Sequence, residues 1–293
     1  MQPALLSRHG TVIERRALWL AVIAVCFFST SPVLMIWADP LSPYEKTFWR
    51  MVVGALSVLA IAAAQGCVPR YHRVDGRKFL VFGLVTAVHF LGYISSLNFT
   101  SIAHSLTITY TSPVFVTLFS ALYLKEPIAP RKCLGILVVL AGIAVLVGFQ
   151  PALDARMLIG DGLALISAIT FGAYSVIGRA QRNNYPLLTY AFATYGMAGL
   201  CMLPAAVLAW TPTGYGLRQV ASLVLAGAIP LGLGHTFYNA AIRRTHATYV
   251  NLIATQEVTG GIILGMLLLG QMPGAPALIG ALITLLGIGI VLL

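Results

Sequence analysis

Seven stretches of this chain carry no Asp, Glu, Lys or Arg: 17–38, 51–69, 79–124, 133–153, 183–217, 219–242 and 258–293. A helix needs about 20 apolar residues to cross the hydrocarbon core of a bilayer, where its backbone polar groups must pair within the segment. On that length the pattern predicts ten helices, over 17–37, 45–65, 78–97, 104–124, 132–149, 159–179, 187–210, 218–240, 247–269 and 275–293. The stretch 79–124 is too long for one span and divides near 98–104. Glu257 interrupts an otherwise apolar span. The first run exceeds the apolar region of a cleavable signal, and Trp37-Ala38-Asp39 is not a small-residue cleavage site, so it is expected to remain as the first span.

Composition agrees with this pattern. Of 293 residues, 59% are hydrophobic and 9% charged, where a soluble domain carries about a quarter charged residues. The fold class expected is an all-α integral membrane protein with no soluble domain. With the amino terminus in the cytoplasm, the cytoplasmic segments hold fourteen of the 18 Lys and Arg residues, and the other side holds Lys46, Arg50, Arg156 and Arg218. That bias follows the positive-inside rule and accounts for most of the net charge of +10. The basic residues form no long block, so membrane lipid and not nucleic acid is the expected macromolecular surroundings. Cys26, Cys67, Cys133 and Cys201 form no Cys-x-x-Cys pair; they are expected to be small buried thiols, with neither disulfide nor metal.

The chain also resembles itself. A shift of 145 positions aligns Tyr110-Thr-Ser-Pro-Val-Phe with Thr255-Gln-Glu-Val-Thr-Gly, Gly135 with Gly280 and Gly142 with Gly287. A shift of 143 aligns Leu20-Ala21 with Leu163-Ala164, Phe28 with Phe171 and Pro43 with Pro186. The predicted organisation is a cytoplasmic segment 1–16, a first five-helix repeat 17–149, a linker 150–158 and a second five-helix repeat 159–293. Five is odd, so the second repeat enters the membrane upside down, with both termini cytoplasmic. Inverted repeats of this kind place a substrate site near the midplane, between the halves. Small residues such as Gly135, Gly142 and the pair Gly261-x-x-x-Gly265 are expected to let helices approach closely.

Thr111-Ser112-Pro113-Val114-Phe115, then Tyr123-Leu124-Lys125-Glu126 and Leu134-Gly135-Ile136, resemble the fourth and fifth spans of the drug/metabolite transporter superfamily in its ten-span EamA-type form. Gln256-Glu257-Val258 resembles the equivalent signature of the second half, and Trp49-Arg50 the end of a second-span signature in which an arginine is usual. Within that group the chain is most similar to the YddG-type aromatic amino-acid exporters of bacteria, including the set around His89, Tyr93 and Asn98. The resemblance implies export of amino acids or other small metabolites across the bacterial inner membrane. Val258 stands where the second signature carries proline, so a straighter ninth helix is expected, and Gln271 replaces its usual acid.

Ionisable groups inside a membrane span are functional candidates because an unpaired charge there is costly. Glu257 is such an acid, able to attract an ammonium group, carry a proton or bond a neighbouring helix. His89 and His235 lie mid-span, and Tyr93, Tyr110, Tyr174, Tyr195 and Tyr238 offer broad apolar faces with one polar tip. Asn239 adds a further polar group. These nine are the candidate substrate-binding residues; helix packing is the competing role for each. Trp49 and Arg50 are candidates at the outer end of span 2, where Arg50 could draw in a carboxylate, pair with Asp39 or Glu45, or snorkel to the interface. No zinc-protease, nucleophile-elbow or phosphate-loop motif occurs, so an enzyme is not expected, and no cofactor. A channel would need a filter or pore-lining ring. Drug exporters of the four-span branch rely on an acid in the first helix, which is lacking here, and a sugar-phosphate or nucleotide-sugar carrier should place more than Arg50 at its site. The expectation is a secondary transporter working as a monomer by alternating access.

Overall fold

The computed structural model describes residues 14–67, 75–100, 102–147, 155–270, 272 and 275–292. Residues 1–13 of the amino-terminal segment, 150–154 of the expected linker and Gln271 lie outside the described residues. Among the described residues there is no strand. The helices are α1 Arg15–Trp37, α2 Pro43–Ala64, α3 Gly76–Ser96, α4 (Ile102–Thr109 with Ser112–Leu124), α5 Pro130–Val147, α6 Ala155–Ala180, α7 Leu187–Leu208, α8 Leu217–Ile242, α9 Ala247–Leu269 and α10 Ala275–Leu292. Of these, α1, α2, α3, α6, α7, α8 and α9 are long and apolar enough to cross a membrane. The apolar stretches Ser112–Leu124, Lys132–Val145 and Leu282–Val291 of α4, α5 and α10 are shorter.

The polarity of this bundle is inverted relative to a soluble protein. Leu134, Leu137, Leu282 and Leu286 are exposed, while Thr86, Ser96, Thr194, Asn239 and Asn251 are buried. Lipid solvates the leucines; the polar side chains find partners inside. The cysteines correct the sequence reading in the same way: Cys26, Cys67 and Cys133 are exposed and Cys201 half-buried, because a weakly polar thiol gains little from leaving an apolar solvent.

Helix pairing follows the small residues. α5 packs along α10, α2 along α7, and α3 against α6 and α7, while α8 lies against α1 and α2. At the α5–α10 contact, a Cβ on Gly142 would lie 2.5 Å from the backbone nitrogen of Thr284, and one on Gly287 would lie 2.6 Å from that of Val139. Lipid tails are as apolar as leucine, so such pairs are held by close backbone approach rather than by expulsion of water.

Three helices break near their middles. In α1, the Ser29 and Thr30 hydroxyls donate to the carbonyls of Val25 (2.8 Å) and Phe27 (2.7 Å). In α4 the helix stops at Thr109 and restarts at Ser112, where Pro113 supplies no N–H. In α9 the interruption falls at Thr255–Gln256, between Ala247–Ala254 and Glu257–Leu269. The expectation of a straighter ninth helix is therefore corrected. No proline is needed, because the Thr255 hydroxyl donates to the Leu252 carbonyl at 2.7 Å and the Thr255 carbonyl accepts from Val258 N at 3.1 Å, tightening the turn. In α8 the turns Gly227–His235 widen into a π-helix around Pro230 and end on His235; such widening re-aims side chains and is frequent at functional sites.

Gly142→Leu should lower the thermal unfolding midpoint in detergent, by the roughly 1–3 kcal/mol typical of overpacking, or prevent assembly. Gly289→Ala, where a Cβ meets nothing within 4 Å, should leave the midpoint unchanged. An unaltered midpoint in Gly142→Leu would refute the close α5–α10 approach.

Candidate functional site

Every break described above borders one internal cavity. Its wall is formed by Ser31 of α1, Arg50 of α2, His89, Phe90 and Tyr93 of α3, Leu106, Thr109 and Tyr110 of α4, Phe171 of α6, His235 of α8 and Glu257 of α9. Its volume is about 20 Å³, room for about one water molecule, so a solute of metabolite size requires the helices to part.

Arg50 is the largest departure from the sequence reading. Neither snorkelling nor paired with Asp39 or Glu45, it is 2% exposed and points into the bundle from a position seven residues along α2, about 10 Å from its start. Nη1 donates to the Ser31 hydroxyl at 2.7 Å and the guanidinium carbon sits 4.5 Å from the centre of the Phe90 ring. Its expected partners are engaged elsewhere. Asp39 pairs with Lys46. Glu45 closes a capping box with Ser42 at the start of α2 and accepts further bonds from Thr211 N (2.9 Å), Thr211 Oγ1 (2.8 Å) and Tyr215 Oη (2.9 Å) in the α7–α8 connection. Trp49 joins this cluster by donating to Tyr215 Oη at 3.0 Å. Burial among these groups pushes the Tyr215 phenol up to about 12, with the Glu45 carboxylate adding to the effect.

Across the cavity, Glu257 accepts a hydrogen bond from Tyr110. This joins the two broken helices at positions that the 145-residue shift places two residues apart. His89 stacks on Phe171 with ring centres 4.6 Å apart, and its Nδ1 lies 3.0 Å from the Ser167 carbonyl. His235 sits edge-on to Phe90 at 4.9 Å. Tyr93 completes the wall.

The remaining candidates do not line the cavity. Tyr174, Tyr195, Tyr238 and Asn239 lie one layer further along the helices. Asn239 Nδ2 donates to Tyr174 Oη (2.5 Å) and the His235 carbonyl (2.8 Å) and lies 3.3 Å from Tyr195 Oη. Ser175 and Tyr238 bond at 2.7 Å, Asn251 Nδ2 donates to Tyr238 at 3.1 Å, and Ser112 donates to Asn251 at 3.0 Å. One layer beyond, Arg179 at the end of α6 binds Glu126 through Nε and Nη2, and its Nη1 donates to the carbonyls of Ile242 (2.9 Å) and Thr245 (2.5 Å). Arg182 approaches Glu126 to 3.6 Å, and His246 Nε2 donates to the Glu126 carbonyl at 2.7 Å. Two hydrogen-bonded layers therefore seal the cavity from the Glu126 end.

Sequence reasoning missed Ser31, Phe90, Leu106, Thr109 and Phe171, along with the Arg179–Glu126 pair. Ser31 and Thr109 carry a faint signal as hydroxyls within charge-free runs. Phe90 and Leu106 carry none, since one more apolar side chain in such a run is no signal. Among the described residues no cluster of three His, Cys, Asp or Glu side chains could hold a metal.

The cavity thus brings an arginine and a glutamate to one wall inside a multi-pass helical bundle. The family model of the EamA-like transporters matches residues 15–148 and again 158–293. The chain belongs to the EamA-like transporter family and is a transporter rather than an enzyme. It is 27% identical over 267 residues to the pseudopaline exporter CntI of Pseudomonas aeruginosa, covering 89% of this chain and 90% of that one. It is 22% identical over 281 residues to an uncharacterized transporter of Clostridium kluyveri, covering 91% and 89%. A protein crystal structure with 20% sequence identity superposes with a TM-score of 0.77 over 94% of this chain and 96% of that one, which establishes a shared fold.

His246 lies in the α8–α9 connection, where Thr248 N donates to its Nδ1 at 3.2 Å. Burial holds its pKa below the ordinary 6.5, outweighing the Glu126 carbonyl and carboxylate, while Arg179 and Lys132 lower it further. The neutral ring is thus favoured by folding. Its contribution to stability is full above pH 6.5 and is lost as pH falls below it. Thermal midpoints measured from pH 7 to about 5, across the range where histidines titrate, should decline less steeply in His246→Gln than in the unaltered protein. Parallel declines would refute this reading.

Proposed function

We propose that this protein exports amino acids, aromatic and other neutral ones, from the bacterial cytoplasm by alternating access through the cavity between two inverted five-helix repeats. The observation that carries the reading is the pattern of helix pairing. Exchanging each helix with the one five positions away maps α5–α10 and α2–α7 onto themselves, α3–α6 onto α8–α1, and α2–α8 onto α7–α3, and all of these pairs are in contact. Two matches to one family model over 15–148 and 158–293 support the same duplication. The two broken helices α4 and α9 are also related by this exchange, and both border the cavity.

Contacts at the helix ends fall into two sets, in keeping with ten crossings. Glu14, Asp75, Glu126, Arg179, Tyr185 and Arg244 meet at one end, and Asp39, Glu45, Asn98, Arg156, Thr211 and Gln219 at the other. We read the first set as cytoplasmic, with both termini on that side, a reading supported by the excess of Lys and Arg in the segments at that end. The Arg179–Glu126 pair and the tyrosine–asparagine layer then serve as an inner gate. The two halves can exchange an inward opening for an outward one at similar energy, because the helix pairings of one half have counterparts in the other. Surrounded by lipid, one chain holds the whole site, so a monomer suffices and nucleic acid has no part in it.

The likeness to a pseudopaline exporter supports a second reading, export of another small metabolite, so the test must separate the two. In proteoliposomes, counterflow of labelled L-phenylalanine should be driven by internal phenylalanine and inhibited by aromatic and aliphatic neutral amino acids. Exchange that responds to pseudopaline and to no amino acid would replace the first reading with the second.

A further inference from the structure

Two buried ionisable side chains, Arg50 and Glu257, line the same cavity with no direct salt bridge between them. Arg50 has a hydroxyl and a ring as neighbours, its Nε has no partner, and it forms no ion pair with any described carboxylate. Glu257 has the Tyr110 hydroxyl. A buried charge that lacks a counter-ion costs several kcal/mol. Packing alone gives no reason to retain one of each sign on a single wall, since a direct ion pair or two apolar residues would relieve the cost.

We propose that Arg50 and Glu257 together form a two-point dock for an amino-carboxylate zwitterion, the carboxylate on Arg50 and the ammonium on Glu257. The proposal rests on the amino-acid reading above and adds how the solute is recognised. A guanidinium presents paired N–H donors that match a carboxylate, and its Nε is free to join them. A carboxylate accepts from an ammonium while keeping its bond from Tyr110. Phe90, Phe171 and Tyr93 supply apolar and aromatic surface between the two charges, where the substrate side chain lies. A solute with one of the two charges leaves the opposite wall charge buried and unpaired, so the dock selects for the zwitterion by penalty as well as by attraction.

The test uses the full-length protein in proteoliposomes, with labelled L-phenylalanine as probe. The competitors share its ring: phenethylamine lacks the carboxylate and 3-phenylpropionate lacks the amine. Each should compete at least about 30-fold more weakly than unlabelled phenylalanine, the scale of losing one partner of a buried charge pair. In Arg50→Gln the gap between phenylalanine and phenethylamine should collapse, and in Glu257→Gln the gap between phenylalanine and 3-phenylpropionate. These ratios are taken within one preparation, and if neither variant assembles, the competitor series on the unaltered protein still decides. Competition by either analogue within about threefold of phenylalanine, while phenylalanine exchanges normally, overturns the dock and leaves amino-acid export standing. No exchange of any amino acid overturns both.

Discussion

The organising constraint in this molecule is the burial of Arg50 and Glu257 within a bundle whose outer face is leucine and lipid. Both groups are buried, and no direct salt bridge joins them. Charges in that setting are tolerated only when the surroundings are built for them. The broken helices provide that setting. Where α1, α4 and α9 lose regular hydrogen bonding, hydroxyls and freed backbone groups come to the cavity wall, and irregular backbone at membrane depth is stable only where it is enclosed by protein. The polar layers toward Glu126 extend the same logic, since Tyr174, Tyr195, Tyr238, Asn239 and Asn251 each find a partner on another helix.

The proposed duplication accounts for how one chain encloses such a place. The glycines at 135, 142 and 287 allow α5 and α10 to approach to backbone contact, and α2 and α7 form the other self-related pair. The two halves are not copies in detail. α9 breaks on a threonine where α4 breaks ahead of a proline, and α8 carries a π-helix that α3 lacks. The ends differ too. A buried ion pair closes one, and a capping-box glutamate bound by the α7–α8 connection closes the other. Under the proposed alternating access, these differences would give each opening its own set of bonds to break, on a scaffold whose packing is shared.

The helices were legible because the lack of charge over 20 or so residues is a strong signal in a membrane and a weak one elsewhere. The division between α3 and α4 was legible in the polar stretch near Asn98, whereas 104–124 was expected as one helix and the α4 break at Thr109–Ser112 was not foreseen. Glu257, Tyr110, Tyr93, His89 and His235 stood out as polar groups at mid-span, and the structure brings all five to one cavity. Arg50 was placed too near the surface. A long side chain close to a helix start snorkels by default, and what draws it inward is Ser31 and Phe90, contributed by other helices. Tyr174, Tyr195, Tyr238 and Asn239 have the same chemistry as the cavity residues. Whether a mid-span tyrosine lines a cavity or closes a layer depends on its partner across the bundle, which local pattern does not encode. Arg179 and Glu126 are 53 positions apart, and each reads alone as an ordinary interfacial charge.

Alternation of access is the central claim, and Thr109 offers the most direct measurement. It lines the cavity and is buried. With Cys26, Cys67, Cys133 and Cys201 replaced by serine, Thr109→Cys is exposed to a membrane-impermeant maleimide applied to either face of sealed vesicles. Alternating access predicts modification from both faces. Adding Glu126→Ala, which removes the carboxylate held by Arg179, should speed modification from the cytoplasmic face and slow it from the other. Modification from a single face under every condition, or rates that rise together at both faces, would contradict it.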